Sequence, residues 1–214
     1  MKLFSYWRSG TSYRVRIALA LKGETLDIVP VNLLEGAHRE SAFLERNPQG
    51  LVPTLELDDG TLLSQSPAII EYLDEVLPGP KLLPEDPLER AKVRHLAAII
   101  GCDTHPLQNL RILKYLQDPL GHDREKSFAW AAHWIDTGLG ALEAQVPEGS
   151  AFTCGEQPGL VECYLIPQLY AGRRFGADLA ALPKLTAIEE RTLAWPGLAD
   201  AHPDNQPDAQ TSVG

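Results

Sequence analysis

The stretch Val52-Pro53-Thr54-Leu55-Glu56-Leu57-Asp58-Asp59-Gly60-Thr61-Leu62-Leu63-Ser64-Gln65-Ser66-Pro67-Ala68-Ile69-Ile70-Glu71-Tyr72-Leu73 decides the fold. Two apolar runs, 52–57 and 61–63, flank Asp58-Asp59-Gly60, and Asp-Gly between such runs is a strong hairpin signal. Ser66-Pro67 then opens a helix running to about Leu77: serine suits the N-cap, and proline suits the first helical position, where an N–H has no partner anyway. Upstream, Leu3-Phe4-Ser5-Tyr6 and Leu26 to Val31 read as strands. Between them Ser12 to Leu21 has helical spacing, and Gly23 sits where that helix would stop. A short helix around Glu40–Glu45 precedes the hairpin. The order β-α-β-(α)-β-β-α, a hairpin after a crossover, predicts a mixed sheet with helices packed on it.

Downstream, Pro78, Gly79, Pro80, Pro84 and Pro87 mark a linker. After it the pattern is helical throughout, over about 87–116, 125–145, 160–175 and 185–193, with Pro106 and Pro167 expected to kink or interrupt their helices. The chain therefore divides into an α/β domain over 1–80 and an all-helical domain over 87–202. The Pro/Asp/Gln/Ser-rich end, 203–214, reads as a flexible tail.

Composition narrows the function. Lys plus Arg is 19 against 29 Asp plus Glu, a formal net charge of −10, which argues against a nucleic-acid partner while leaving room for a local basic pocket. No window approaches the ~18 apolar residues of a membrane span, and Met1–Ile17 holds no apolar run fit for a signal peptide. Cys102, Cys154 and Cys163 form no C-x-x-C pair, so reduced thiols in a cytoplasmic protein are expected, and no metal site.

Three local features bear on chemistry. In Trp7-Arg8-Ser9-Gly10-Thr11-Ser12-Tyr13-Arg14, hydroxyls cluster between the first strand and the first helix. There they either cap the helix or meet an anion drawn to its free N–H groups. In Gln49-Gly50-Leu51-Val52-Pro53-Thr54, the proline is either an ordinary edge-strand proline or a cis one, which would leave Val52 as a strand edge for an extended peptide. Gln65-Ser66, at the start of another helix, either caps it or holds a carboxylate.

Together these features resemble the N-terminal domain of the glutathione transferases, a thioredoxin-like domain followed by an all-helical one. The zeta class, the maleylacetoacetate and maleylpyruvate isomerases, is the most similar. Its Ser-Ser-Cys-x-x-Arg-Val-Arg-Ile-Ala-Leu type motif is met by Ser9-Gly10-Thr11-Ser12-Tyr13-Arg14-Val15-Arg16-Ile17-Ala18-Leu19. Asn47 to Leu55, Gln65 to Leu73, Cys102 to Arg111 and Tyr164 to Gln168 extend the resemblance over about residues 1–200. The resemblance implies glutathione as cofactor, with Ser9 donating to its sulfur, Thr11 beside Ser9 as a second catalytic hydroxyl, Val52 before Pro53 pairing with its cysteinyl backbone, Gln65 and Ser66 holding its γ-glutamyl carboxylate, and His38 and Gln49 meeting its glycyl end. It implies further that Arg8, Arg111 and Arg174 bind a small dicarboxylate substrate, with His105 and Asn109 lining the same pocket beside the cofactor, and that the chain forms a homodimer.

The implied reaction turns a cis double bond between carbonyl groups into a trans one, and it needs a thiolate. Arginines suit the acidic substrate because they stay charged and bind carboxylates bidentately; for each of them an ordinary surface ion pair is the alternative. Two positions depart from the class. Gly10-Thr11 replaces Ser-Cys, which removes any role for a protein thiol there and leaves the glutathione route intact. Gly159 fills a cap position usually held by Ser or Thr, with Glu162 placed to reach back to its N–H. The competing functions are a conjugating transferase or dehalogenase acting on small α-halo acids, and a non-catalytic binding module.

Overall fold

The structure, a computed structural model, describes residues 1–209. The described chain forms two compact units, residues 1–82 together with 194–209, and residues 83–193.

The first unit contains β1 (Lys2–Ser5), α1 (Gly10–Lys22), β2 (Asp27–Pro30), α2 (Ser41–Leu44), β3 (Thr54–Glu56), β4 (Leu62–Ser64) and α3 (Ser66–Val76). The sheet order is β2-β1-β3-β4, with β1 parallel to β2 and the other pairs antiparallel. The crossover through α1 returns β2 parallel to β1, and the hairpin makes β3 and β4 antiparallel. Gly60 takes φ +85° in that turn, and Asp59 Oδ1 accepts the Thr61 N–H at 2.9 Å. Leu3 and Leu55 are register partners, fully buried like Val15 and Ile17 of α1 and Ile69, Ile70 and Leu73 of α3. Phe4 alternates to the other face of the sheet. There it meets Phe43 of α2 edge-on, ring centroids 6.3 Å apart, in a cluster with Tyr6, Trp7, Val31 and Val52.

The second unit holds α4 (Pro87–Ala98), α5 (Leu110–Gln117), α6 (Arg124–Gln145), α7 (Leu160–Phe175) and α8 (Pro183–Leu193), after which α9 (Leu198–Ala201) belongs to the first unit again. The stretch expected as one helix over 87–116 is broken between α4 and α5 by a π-helical segment, Ile99–Thr104, and a 3-10 turn, His105–Gln108, that contains Pro106. Two glycines admit the π segment. A Cβ on Gly138 of α6 would lie 1.9 Å from Thr104 Oγ1, and one on Gly101 would lie 2.8 Å from the Tyr164 ring. The core gathers Ile135, Leu139 and Leu142 of α6, Leu165, Ile166 and Leu169 of α7 and Leu185 and Ile188 of α8. α7 runs through Pro167 without interruption. At its start the buried Glu162 accepts the Gly159 N–H at 2.7 Å and the Thr153 N–H at 2.8 Å, so half of a capping box is in place.

The end of the chain departs from expectation. Residues 194–202 belong with the first unit, and 203–209 are not a loose tail. α9 packs on α1, a 3-10 turn spans Pro203–Asn205, Gln206 is buried with Nε2 donating to the carbonyls of Asp200 (2.7 Å) and His202 (3.0 Å), and Ala209 packs against the Phe4–Trp7 cluster. Polar side chains that fold back onto their own backbone look like a tail in composition. The remainder of that expectation, 210–214, lies outside the described residues. α9 also explains why α1, expected to bury one face, buries nearly every residue from Ser12 to Lys22, Arg14 and Arg16 included. Near the linker, Lys22 and Asp74 form a buried ion pair at 3.0 Å; Lys22 Nζ also donates to the Pro80 carbonyl, and the Leu82 N–H donates to Asp74.

Candidate active site

Ser9, rather than Ser12, caps α1. Its backbone is extended (φ −70°, ψ 120°), and its Oγ accepts the Ser12 N–H at 3.3 Å. Thr11, in the first turn, donates its hydroxyl proton to the Val52 carbonyl at 2.9 Å. Ser9 Oγ and Thr11 Oγ1 are 3.0 Å apart. Because Thr11 has a single proton and a carbonyl cannot donate, Ser9 is the donor to Thr11. The chain Ser9 → Thr11 → Val52 thus joins the helix N-terminus to the residue before Pro53, and the Val52–Pro53 peptide is cis. The capping reading of the hydroxyl cluster is met by Ser9, whose Oγ accepts the Ser12 N–H with a lone pair while its proton goes to Thr11.

The loop leading to Pro53 is held by Asn47, which sequence reasoning assigned no role. Its Nδ2 donates to the Leu51 carbonyl (2.7 Å) and to Thr54 Oγ1 (3.2 Å), and its Oδ1 accepts the Gln49 N–H (3.1 Å). A buried asparagine with its donors and acceptor all used has no distinguishing mark in a single sequence. Gln49 Oε1 accepts from Gln65 Nε2 at 2.6 Å, so two expected site residues meet. Gln65 occupies the capping position of α3 with φ +71°, which makes Ser66 the first helical residue instead of the cap. Behind it, Arg14 Nη1 donates to the buried Ser66 Oγ at 3.4 Å. His38 is buried in a 3-10 turn, with its carbonyl 3.0 Å from where a Cβ on Gly50 would sit; Gly50 itself has φ +61°. Arg8 lies with its guanidinium carbon 5.0 Å from the Trp7 ring centroid.

In the second unit, His105 begins the 3-10 turn, and Asn109 caps α5 by accepting the Arg111 N–H at 3.2 Å. His105, Asn109 and Arg111 therefore share one segment, and the Arg111 side chain is exposed. Arg174 lies in the last turn of α7, also exposed, 5.1 Å from the Phe175 ring. All three cysteines are in this unit. Cys163 is buried, and Cys154 has its thiol pushed up to about 11 by burial, with Glu162 and Glu89 adding to the shift. The hydroxyl cluster at Ser9 thus has no protein thiol in its own unit. Among the described residues, no group of His, Cys, Asp and Glu could hold a metal ion, and no helix is long and apolar enough to cross a membrane.

Comparison with known proteins gives this geometry a lineage. Residues 8–76 match the family described as glutathione S-transferase, N-terminal domain. The maleylacetoacetate isomerase of Pseudomonas aeruginosa is 50% identical over 210 residues, covering 97% of this chain and 98% of that one. The chain belongs to the zeta-class glutathione transferases. The holo structure of a maleyl pyruvate isomerase, a bacterial zeta-class enzyme, superposes with a TM-score of 0.94 at 44% identity, covering 98% of this chain and 100% of that one. The maleylacetoacetate isomerase of Methylobacterium extorquens, solved with malonate and GSH (glutathione) bound, superposes with a TM-score of 0.94 at 39% identity over 99% of this chain and 100% of that one.

Proposed function

We propose that this chain catalyses the glutathione-dependent cis–trans isomerisation of maleylacetoacetate or maleylpyruvate to the fumaryl isomer. The observation that carries the reading is the Ser9–Thr11–Val52 relay at the N-terminus of α1, in a chain that shares 50% of its residues with a maleylacetoacetate isomerase.

The donor set of the first unit fits glutathione. Ser9 offers a hydroxyl to the sulfur at the positive end of a 13-residue helix. The Val52 carbonyl accepts from Thr11 with one lone pair and keeps the other for the cysteinyl unit. Gln65 and Ser66 stand at the start of α3 for the γ-glutamyl carboxylate, and His38 and Gln49 serve the glycyl end. When bound, glutathione supplies a thiolate that adds to one alkene carbon, makes the double bond single so that it can turn, and leaves again unconsumed.

The chain's own work is to hold that sulfur as an anion. A free thiol ionises near pH 8.5, so about 3% is thiolate at pH 7; lowering this by roughly two units needs about 2.7 kcal/mol of preference for the anion. A hydrogen bond to a charged acceptor contributes about 1.5–3 kcal/mol and a helix N-terminus about 0.3–1, enough together. The Ser9 proton, resting on Thr11, would turn to a bound sulfur by rotation about the Cβ–Oγ bond, leaving the Thr11–Val52 bond in place. Arg8, Arg111 and Arg174 supply guanidinium groups for the two carboxylates and for charge developing on the carbonyl oxygen. His105 and Asn109 add polar contacts. The reading includes a homodimeric cytoplasmic enzyme with no nucleic-acid or membrane partner.

The test is an absorbance assay with each maleyl substrate, with and without glutathione. Isomerisation that requires glutathione and leaves its concentration unchanged is expected. Turnover without glutathione overturns the mechanism; stoichiometric loss of glutathione, or halide release from α-halo acids with no isomerisation, replaces it with a conjugating or dehalogenating transferase.

A further inference from the structure

We infer that Asp208 is a positioning residue for Ser9 and Arg8, so that the end of the chain sets the geometry of the thiolate donor; this rests on the role given to Ser9 above. The backbone of Trp7 is gripped at both ends by charged side chains. Its N–H donates to Asp208 Oδ2 at 3.0 Å, and its carbonyl accepts from Arg16 Nη2 at 2.9 Å. Arg16 is tied down in turn: Nη1 donates to Ser5 Oγ at 3.1 Å and Nε to the Ala201 carbonyl at 2.9 Å. The Trp7 side chain is 7% exposed and packs in the cluster that Ala209 joins.

Trp7 lies inside the turn that delivers the site. The turn has one bond of its own, from the Ser9 N–H to the Tyr6 carbonyl at 3.0 Å, and Ser9 then opens α1. Rotation of the Trp7 backbone swings Arg8 and Ser9 together. Such rotation must break the bond to Asp208 or the bond to Arg16, and both are charge-assisted, roughly twice as strong as neutral ones. Arg16 lies on α1, nine residues along the chain from Trp7. Asp208 is 201 residues away, and it is the contact that makes the chain end part of the site's support.

The experiment uses the full chain with Asp208→Ala and Asp208→Asn. Three readouts are taken: residue-resolved amide exchange at Trp7 in the ligand-free protein, kcat and KM for glutathione-dependent isomerisation, and the pH midpoint of kcat. Asp208→Ala is expected to speed Trp7 exchange about tenfold or more, the equivalent of about 1.4 kcal/mol. It is also expected to lower kcat about fivefold at pH 7, move the pH midpoint upward and leave KM for glutathione within about twofold, since the other glutathione contacts are untouched. Asp208→Asn keeps an acceptor oxygen and restores all three readouts to within about threefold. Wild-type exchange at Trp7 in the alanine variant overturns the inference, as does faster exchange with unchanged kcat and pH midpoint, or a loss confined to KM. A wild-type protein with no glutathione-dependent turnover refutes the proposed function separately, and the exchange comparison then decides on its own whether Asp208 fixes the turn.

Discussion

Replacing Ser9 separates the two jobs its hydroxyl holds. As a cap it accepts the Ser12 N–H at 3.3 Å, and as a donor it serves the sulfur. Ser9→Ala removes both, at a stability cost of about 1 kcal/mol for the cap, whereas Ser9→Gly costs only a few tenths there and still removes the donor. Losing a bond of about 1.5–3 kcal/mol to the thiolate raises its ionisation by about 1–2 pH units. If the wild-type enzyme holds the bound thiol near about 6.5, the thiolate fraction at pH 7 falls from about three-quarters to between about a quarter and 3%. The turnover number should then drop about 3- to 25-fold at pH 7 in both variants. The sign of the pH dependence follows: the variants ionise later, so the deficit shrinks as pH rises and nearly vanishes by about pH 9.5. Turnover measured from pH 6 to 9.5, with thermal melts alongside, reads both effects. An alanine variant as impaired at pH 9.5 as at pH 7, or two variants with wild-type midpoints, would show that Ser9 only caps its helix.

Other perturbations test the supporting structure. Asp74→Asn leaves the fully buried Lys22 ammonium without its counter-charge, and urea unfolding should show a loss of about 3–5 kcal/mol; a loss under about 1 would mean that the Pro80 carbonyl alone suffices. Gly138→Ala places a methyl 1.9 Å from Thr104 Oγ1 and pushes on the segment that carries His105, Asn109 and Arg111. It should cost about 1–3 kcal/mol and raise KM for the maleyl substrate more than KM for glutathione, and equal KM values to wild type would contradict the placement. Gly159→Thr completes the half-built capping box and should raise the melting temperature by about 1 °C, with a fall counting against the cap. Cys102 and Cys154 are both exposed, so iodoacetamide at pH 8 should separate them by ionisation: Cys154, whose thiol is pushed up to about 11, should react after Cys102, and mass spectrometry showing Cys154 alkylated first would refute that shift.

The sheet was legible because its signals are local: Asp-Gly at the hairpin, Gly23 at a helix end and alternating apolar runs each act over a few residues. The hydroxyl cluster was legible for the same reason, and the resemblance set Val52 in the same expected site, but the bond from Thr11 to Val52 joins positions 41 residues apart and left no mark in the sequence. The return of 194–209 to the first unit was not. It depends on Arg16 reaching the Ala201 carbonyl across 185 residues and on Asp208 reaching Trp7 across 201, pairings that leave no periodic trace. The π segment was missed because its permission is written in two glycines, Gly101 and Gly138, that act by leaving room. Ser66 looked like a cap because serine usually is one, but the helix begins one residue earlier, with Gln65 at positive φ taking the position before it.

That return has a consequence for biosynthesis. Topologically the helical unit is an insertion in an interrupted α/β unit, whose last pieces leave the ribosome more than a hundred residues after Leu82. At about 5–20 residues per second, the nascent N-terminal half waits roughly 6–25 s with Arg16 and the Trp7 amide uncovered. A fragment ending at the linker would contain every expected glutathione contact of the first unit and still lack its finishing strap, so affinity for the tripeptide and competence to activate it should part company in such a fragment.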